Sequence, residues 1–424
     1  MPRAAAYDLL GSVLTQKCLL DVAMNNTRSF VSLPERDRGL AVLVTRTALR
    51  HLGEIDAVIS AYIEKPLGKR GQGVINILRI GLTQLLFLDM AEHAAVSTAV
   101  DLCQGGSLAP YRRLTNAILR RAQREGAELL GTLDAAQLNT SEWLWNSWVK
   151  TYGEPVAREI AAQHLNEPPI DLTCKEDSGL WAEKLEADLM PTGSLRLRQK
   201  APITSLPGFD EGAWWVQDAA AALPARLLGD VTDMDVIDLC AAPGGETMEL
   251  AAAGARVIAV DRSEKRLERV HQNLERTKLT AKIVTADAET WRPDHLADAL
   301  LLDAPCPATG TARRHPDVLH LKTQQDVIKL AHLQTRLLNA AVEMVRPGGL
   351  IVFCTCSLQP EEGLDQIDAL LASGAPVELD PIKPSEAGTL TSIVTPQGYL
   401  RTLPSHLGDQ GGMDGFFAAR LRHT

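Results

Sequence analysis

The sequence predicts a chain of more than one domain: an all-α bundle in front, a small mixed module, and a doubly wound α/β domain with a mainly parallel sheet behind. Three observations predict it. Apolar residues in the first 128 positions recur at helical spacing, and no two-residue alternation competes. From about Trp214, short apolar runs of strand length alternate with helix-length segments. Several of those runs end in an aspartate followed by small or turn-forming residues, as loops at the carboxyl ends of parallel strands do. The expected boundaries are 1–128, 129–212 and 213–424.

In the front part, Ser32 ahead of Pro34 and Glu35 predicts a capped helix start with proline in the first turn. From Val74, apolar or small residues at 74, 78, 81, 85 and 88 lie on one helix face. Gly105, Gly106 and Pro110 break the pattern, and a basic helix is expected from Arg112 to Arg124. The middle part offers Trp143, Trp145 and Trp148 on one helix, then Pro168-Pro169 and short segments near 170–173 and 195–198. Such tryptophans are packing residues.

In the back part the expected strands are 236–239, 257–260, 282–285, 299–302 and 350–353. The expected helices are 247–253, 264–276 and 323–345. Arg346-Pro-Gly-Gly349 is expected to end the long helix and turn it into the next strand. Residues 415–421 read as an edge strand.

Composition narrows the function. The 424 residues carry a net charge of -10, which argues against a nonspecific polyanion binder. Basic residues nonetheless cluster at Lys65, Lys69 and Arg70, and at Arg112, Arg113, Arg120, Arg121 and Arg124. Aromatic residues are only 4%, so broad base-stacking platforms are not expected. Seven irregularly spaced cysteines do not make a disulfide framework and suit a reducing compartment. No signal peptide is evident, and Val74 to Met90 carries Asn76, Arg79 and Gln84, so it reads as a core helix, not a membrane span. A cytoplasmic monomer with no membrane partner is expected. No further Cys/His pair sits at zinc-site spacing from Cys354 and Cys356, so no metal is expected.

The chemistry gathers in three loops. Asp238 to Gly245 ends a strand and opens a helix, and its small residues and glycines let a cofactor approach the backbone. Asp261, 23 residues on, stands where an acid binds ribose hydroxyls. Asp287 ends the third strand and is expected to face an adenine. The loop is not a dinucleotide fingerprint, and an acidic pocket suits a cation. The second and third loops follow 299–302 and 350–353, and place Asp303, Cys306 and Cys356 on one crevice. Arg313, Arg314 and His315 follow and could grip phosphates flanking an extruded base; plain solvated charge is the alternative. Cys354 is expected to face away from the crevice, and Cys240 to pack.

These residues carry a family resemblance. Asp238-Leu-Cys-Ala-Ala-Pro-Gly-Gly245, Asp303-Ala-Pro-Cys306 and Thr355-Cys-Ser-Leu-Gln-Pro-Glu-Glu362 resemble three motifs of the RNA (cytosine-5)-methyltransferases. Arg313-Arg-His-Pro-Asp317 and Met413-Asp-Gly-Phe-Phe417 narrow the likeness to the bacterial RsmB type, which modifies small-subunit ribosomal RNA. The likeness runs almost end to end. His93-Ala-Ala-Val96 and Asn116-Ala-Ile-Leu-Arg120 resemble the NusB-like front domain of that type, a fold that commonly binds RNA.

The resemblance implies S-adenosylmethionine as cofactor, held by Asp238, Cys240, Ala241, Ala242, Pro243, Gly244, Gly245, Glu246, Asp261, Asp287 and Asp303. It implies Cys356 as nucleophile, Cys306 as the thiol that assists release, and Asp303 against the cytosine ring. It implies RNA contacts at Arg313, Arg314, Arg112, Arg113, Arg120 and Arg121, and 16S ribosomal RNA or a small-subunit assembly intermediate as partner. The same chemistry on tRNA or another RNA, and a non-catalytic assembly factor, are the alternatives. The chain departs from the pattern at three places: Thr173-Cys174-Lys175 stands where an arginine-asparagine pair is usual, Glu246 where lysine is usual, and Pro307 where serine is usual.

Overall fold

The computed structural model describes residues 1–65, 67–68, 71–199 and 201–424. Lys69 and Arg70 of the first basic cluster lie outside the described residues. The chain forms two compact units: residues 1–166 with 312–322, and residues 167–311 with 323–424.

The first unit is helical. Its longer helices are Pro2–Leu14, Glu35–Arg50, Leu52–Tyr62, Gln72–Leu86, Glu92–Asp101, Arg112–Leu130, Glu142–Tyr152 and Glu154–His164. Helix Gln72–Leu86 buries Val74, Ile77, Leu78 and Leu82 completely. Gly81 stays small because a Cβ there would lie 2.6 Å from Leu119. The helices continue past 128, so the residues expected to form one mixed module divide: those up to Asn166 join the helical unit. Trp145 and Trp148 explain this, because they bury their rings there. Ser32 does not cap the helix after it; it ends a short turn of helix, and Pro34 takes the cap position.

Residues 312–322 belong to this unit. The Leu20 amide donates to Asp317 Oδ2 at 2.9 Å. Arg50 Nη2 donates to the Arg313 carbonyl at 2.7 Å, and His320 Nε2 to the Leu49 carbonyl at 2.7 Å. Arg313 is therefore not the surface phosphate grip that its motif suggested: its side chain is fully buried. It sits close enough to His164 that, after burial itself, the Arg313 and Arg50 charges help push that imidazole down to about 3. Arg314 is half-buried.

The second unit holds two sheets. The smaller has strands β1 (Asp171–Cys174), β2 (Ala187–Leu189), β3 (Leu195–Leu197) and β4 (Trp214–Val216), antiparallel in the order β2-β3-β1-β4. The larger has β5 (Asp235–Leu239), β6 (Arg256–Asp261), β7 (Lys282–Thr285), β8 (Ala297–Asp303), β9 (Val345–Thr355), β10 (Val377–Leu379), β11 (Leu400–Arg401) and β12 (Phe417–His423). Its order is β10-β12-β9-β8-β5-β6-β7, with β11 paired to β12. Strands β5 to β9 run parallel; β5, β6, β8 and β9 bury most of their residues, while β7, at the end of the sheet, is only half-buried with exposed ends. The strand order reverses between β5 and β8, which opens a crevice at their carboxyl ends.

Two details differ from expectation. The strand at 417–423 is not an edge: it lies between β9 and β10, and buries Phe417, Ala419 and Leu421. Arg346-Pro-Gly-Gly349 does not end the long helix. That helix, Gln324–Val342, stops earlier, and 346–349 lies within β9 beside an irregularity in its pairing with β8. The helix starts from a capping box. Thr323 Oγ1 accepts from the Asp326 amide, and Asp326 Oδ2 from the Thr323 amide.

Candidate active site

Strand β8 delivers Asp303 and the Cys306 loop because Leu300, Leu301 and Leu302 anchor it in the core with no exposure. Strand β9 delivers Cys356 in the same way through Ile351, Val352 and Phe353. The strands are in register, Asp303 opposite Cys354, so their ends are level. The Ala304 amide donates to the Cys354 carbonyl, and the Gly310 amide to the Cys356 carbonyl, both at 2.9 Å. Cys306 Sγ and Cys356 Sγ then lie 3.3 Å apart. Both residues are half-buried.

A hydrogen-bonded clamp fixes these two loops. Thr309 Oγ1 accepts from the Leu358 amide at 3.0 Å and donates to Gln359 Oε1. Ser357 Oγ donates to Glu362 Oε2 at 2.6 Å. Gln334, wholly buried on the long helix, donates from Nε2 to the Pro305 carbonyl at 2.9 Å and to Glu362 Oε1 at 3.0 Å. Gly310 must be glycine here: a Cβ would lie 2.0 Å from the Gly415 carbonyl oxygen. Phe416 and Phe417, beside Gly415, are core residues, 5% and 2% exposed.

Across the crevice stand the acids. Asp238 is fully buried at the end of β5; Oδ2 accepts from Thr247 Oγ1, while Oδ1 has no hydrogen-bond partner among the described residues. Burial raises its carboxyl to about 7, with the Thr247 bond opposing and Asp303 and Asp261 adding to the rise. Asp261 accepts from the Ser263 amide at 2.8 Å and the Ala242 amide at 3.3 Å, with Arg266 Nη1 at 3.4 Å. The Asp261 carbonyl accepts from the Ala286 amide, which sets Asp287 on the neighbouring strand end, exposed. Asp303 is raised to about 6 by burial, against the lowering effects of the Cys354 thiol and Arg266. Glu246, where a lysine was the family's choice, lies well above the usual carboxylate range through burial and the nearby Asp303 and Asp238.

Cys354 does not face away: its thiol donates to Asp303 Oδ1 at 3.7 Å. Cys240, after β5, takes a left-handed conformation at φ 63°, and burial raises its thiol. Cys356 is raised well above the ordinary thiol range, first by its contact with Cys306, then by burial, Asp303 and Asp414. Arg112, Arg113 and Arg121 are exposed on their helix, Arg120 half-buried. Sequence reasoning missed Arg266, Thr309 and Gln334. A single glutamine inside the apolar face of a long helix was the available signal for Gln334. A cavity of about 520 Å³ beside the smaller sheet, lined by Cys174, Lys175, Arg226 and Glu249 among others, includes none of the expected site residues.

The crevice fits a nucleoside-type methyl donor on its own geometry. A buried Asp238 oxygen awaits a donor, Asp261 closes the next strand, and Gly244, at φ 103°, makes the turn between them. Comparison with known proteins agrees. Residues 225–422 match the family model described as 16S rRNA methyltransferase RsmB/F, and residues 1–124 match the NusB family. Ribosomal RNA small subunit methyltransferase B of Shewanella oneidensis is 34% identical over 432 residues, covering 96% of this chain and 98% of its own. The protein of the same name from Pseudomonas syringae pv. tomato is 36% identical over 444 residues, covering 99% and 96%. A crystal structure of a methyltransferase homolog protein from Pyrococcus horikoshii overlays with a TM-score of 0.54 at 25% identity, covering 67% of this chain and all of that one. A helical front unit, a switch-point crevice and likeness along nearly the whole length thus converge, and the chain belongs to the RsmB/F family of 16S rRNA methyltransferases.

Proposed function

We propose that this enzyme methylates carbon 5 of a cytosine in 16S ribosomal RNA through a covalent adduct between Cys356 and carbon 6. The observation that carries the reading is the 3.3 Å approach of two thiols at level strand ends, beside a carboxyl. The names of its relatives support the RNA.

Carbon 5 of neutral cytosine is a poor nucleophile. Addition of the Cys356 sulfur at carbon 6 makes the ring an enamine, which splits one hard step into two easier ones. Asp303, raised to about 6, can hold a proton on the ring nitrogen and stabilise that adduct. S-adenosylmethionine, when bound, supplies the electrophilic methyl group; Asp238, Asp261, Asp287 and the 240–246 turn would hold it. Cys306 then assists loss of the carbon 5 proton, and Cys356 is expelled. The exposed Arg112, Arg113 and Arg121, with Arg120 and Arg314, are the proposed RNA contacts.

The test is methyl transfer from labelled S-adenosylmethionine to 16S RNA, tRNA and duplex DNA, with the product mapped by bisulfite sequencing. Transfer to 16S RNA alone is expected. Cys356→Ala should abolish it, and Cys306→Ala should accumulate a covalent RNA–protein adduct on denaturing gels. Undiminished transfer by Cys356→Ala would remove the proposed nucleophile.

A further inference from the structure

The two sulfurs that the reaction needs are also placed to react with each other. We propose that Cys306 and Cys356 form an oxidative modification site, which a small-molecule disulfide closes into an intramolecular disulfide bond. The switch-off that follows rests on the function proposed above; the bond formation does not.

The sulfurs stand 3.3 Å apart. A disulfide bond is about 2.0 Å long, so closure asks for a movement of roughly 1.3 Å. Rotation of the two side chains about their χ1 bonds moves the sulfurs on this scale. The two loops are already joined beside the sulfurs by the Gly310 amide to Cys356 carbonyl bond at 2.9 Å. Both residues are half-buried, whereas Cys354 beside them is fully buried. The competing sulfur nearby is Cys354, which has no exposure and directs its thiol to Asp303.

The oxidant is a disulfide RSSR of the glutathione class. One cysteine, as thiolate, attacks a sulfur of RSSR, forming a mixed disulfide and expelling RS⁻. The second cysteine, as thiolate, attacks the protein sulfur of that mixed bond, forming Cys306–Cys356 and expelling a second RS⁻. The two protons of the protein thiols leave with the two RS⁻ as RSH, and two electrons pass from the protein to RSSR. The second step is intramolecular between groups already in contact, so the mixed disulfide does not persist. The Cys306 contact, burial, Asp303 and Asp414 all oppose a thiolate at Cys356, which slows the exchange.

The experiment treats the reduced full-length protein with oxidised glutathione at pH 8, then digests it without reduction for mass spectrometry. The expected result is a linked pair of peptides bearing Cys306 and Cys356, loss of two titratable thiols, and loss of methyl transfer that dithiothreitol reverses. Cys306→Ser and Cys356→Ser should each hold a stable glutathione adduct at the remaining cysteine. A persistent glutathione adduct on the unmutated protein, or a link through Cys354 or Cys240, would overturn the proposal. The cross-link is read by mass, so a protein that links but whose reduced form methylates no RNA would support this site while sinking the proposed function. An active methyltransferase that never links would do the reverse.

Discussion

The two halves of the crevice are built by different means. The acid half, around Asp238, Asp261 and Asp303, depends on burial: two of its carboxyls rise to about 7 and about 6, chiefly through desolvation. The thiol half depends on fit: amide and side-chain hydrogen bonds cross from the Cys306 loop to the Cys356 loop, with a glycine at the closest approach. The first should therefore answer to charge and pH, the second to the space of a single methyl group.

The largest effect should come from that methyl group. Gly310→Ala puts a Cβ 2.0 Å from the Gly415 carbonyl oxygen and 2.9 Å from that of Cys356. Both are backbone, so the loops must part. A displacement on the scale of 1 Å costs about 100-fold in rate. We expect at least that loss in single-turnover methyl transfer, with an unchanged far-ultraviolet spectrum; wild-type turnover would erase the distinction between the halves.

A smaller effect is expected at the clamp. Gln334→Leu leaves Glu362 and the Pro305 carbonyl without their shared donor. A buried group deprived of its partner costs about 1–3 kcal/mol, measurable by denaturant unfolding. If the clamp positions Cys306, the covalent RNA adduct should also persist longer; lost stability with unaltered adduct lifetime would make Gln334 a packing residue only.

The smallest effect tests the acid half. Arg266 lowers the Asp303 carboxyl, so Arg266→Gln should raise it. The proposed reaction uses the protonated acid, present below its pKa and lost as pH rises through it. The alkaline fall of the rate attributed to Asp303 should therefore shift upward, by about half a pH unit given the solvent around the exposed Arg266. A downward shift would contradict the sign.

Much of this was legible in the sequence because strand periodicity and loop chemistry are local. The five parallel strands lie within a few residues of their expected places, since most of those apolar runs are buried in the sheet. Cys306, Cys356 and Asp303 follow from which strands those runs precede. What escaped depends on partners distant in the chain. Arg313 reads as an exposed cation because nothing nearby in sequence hints that Arg50 and His164 enclose its segment. The 417–423 strand reads as an edge because its second neighbour, β10, is only three residues long. Cys354 reads as turned away because alternation gives its face but not the position of Asp303 on the strand beside it.

Residues 312–322 give the helical unit a discontinuous sequence. During synthesis, the helix beginning at Leu20 waits for its cap until Asp317 emerges, some three hundred residues later. By then four strands of the larger sheet have already been made: β5 to β8 all precede Ala312. The front of this protein can finish folding only after most of its rear has been made, and a fragment cut at residue 166 would lack a piece of its own interior.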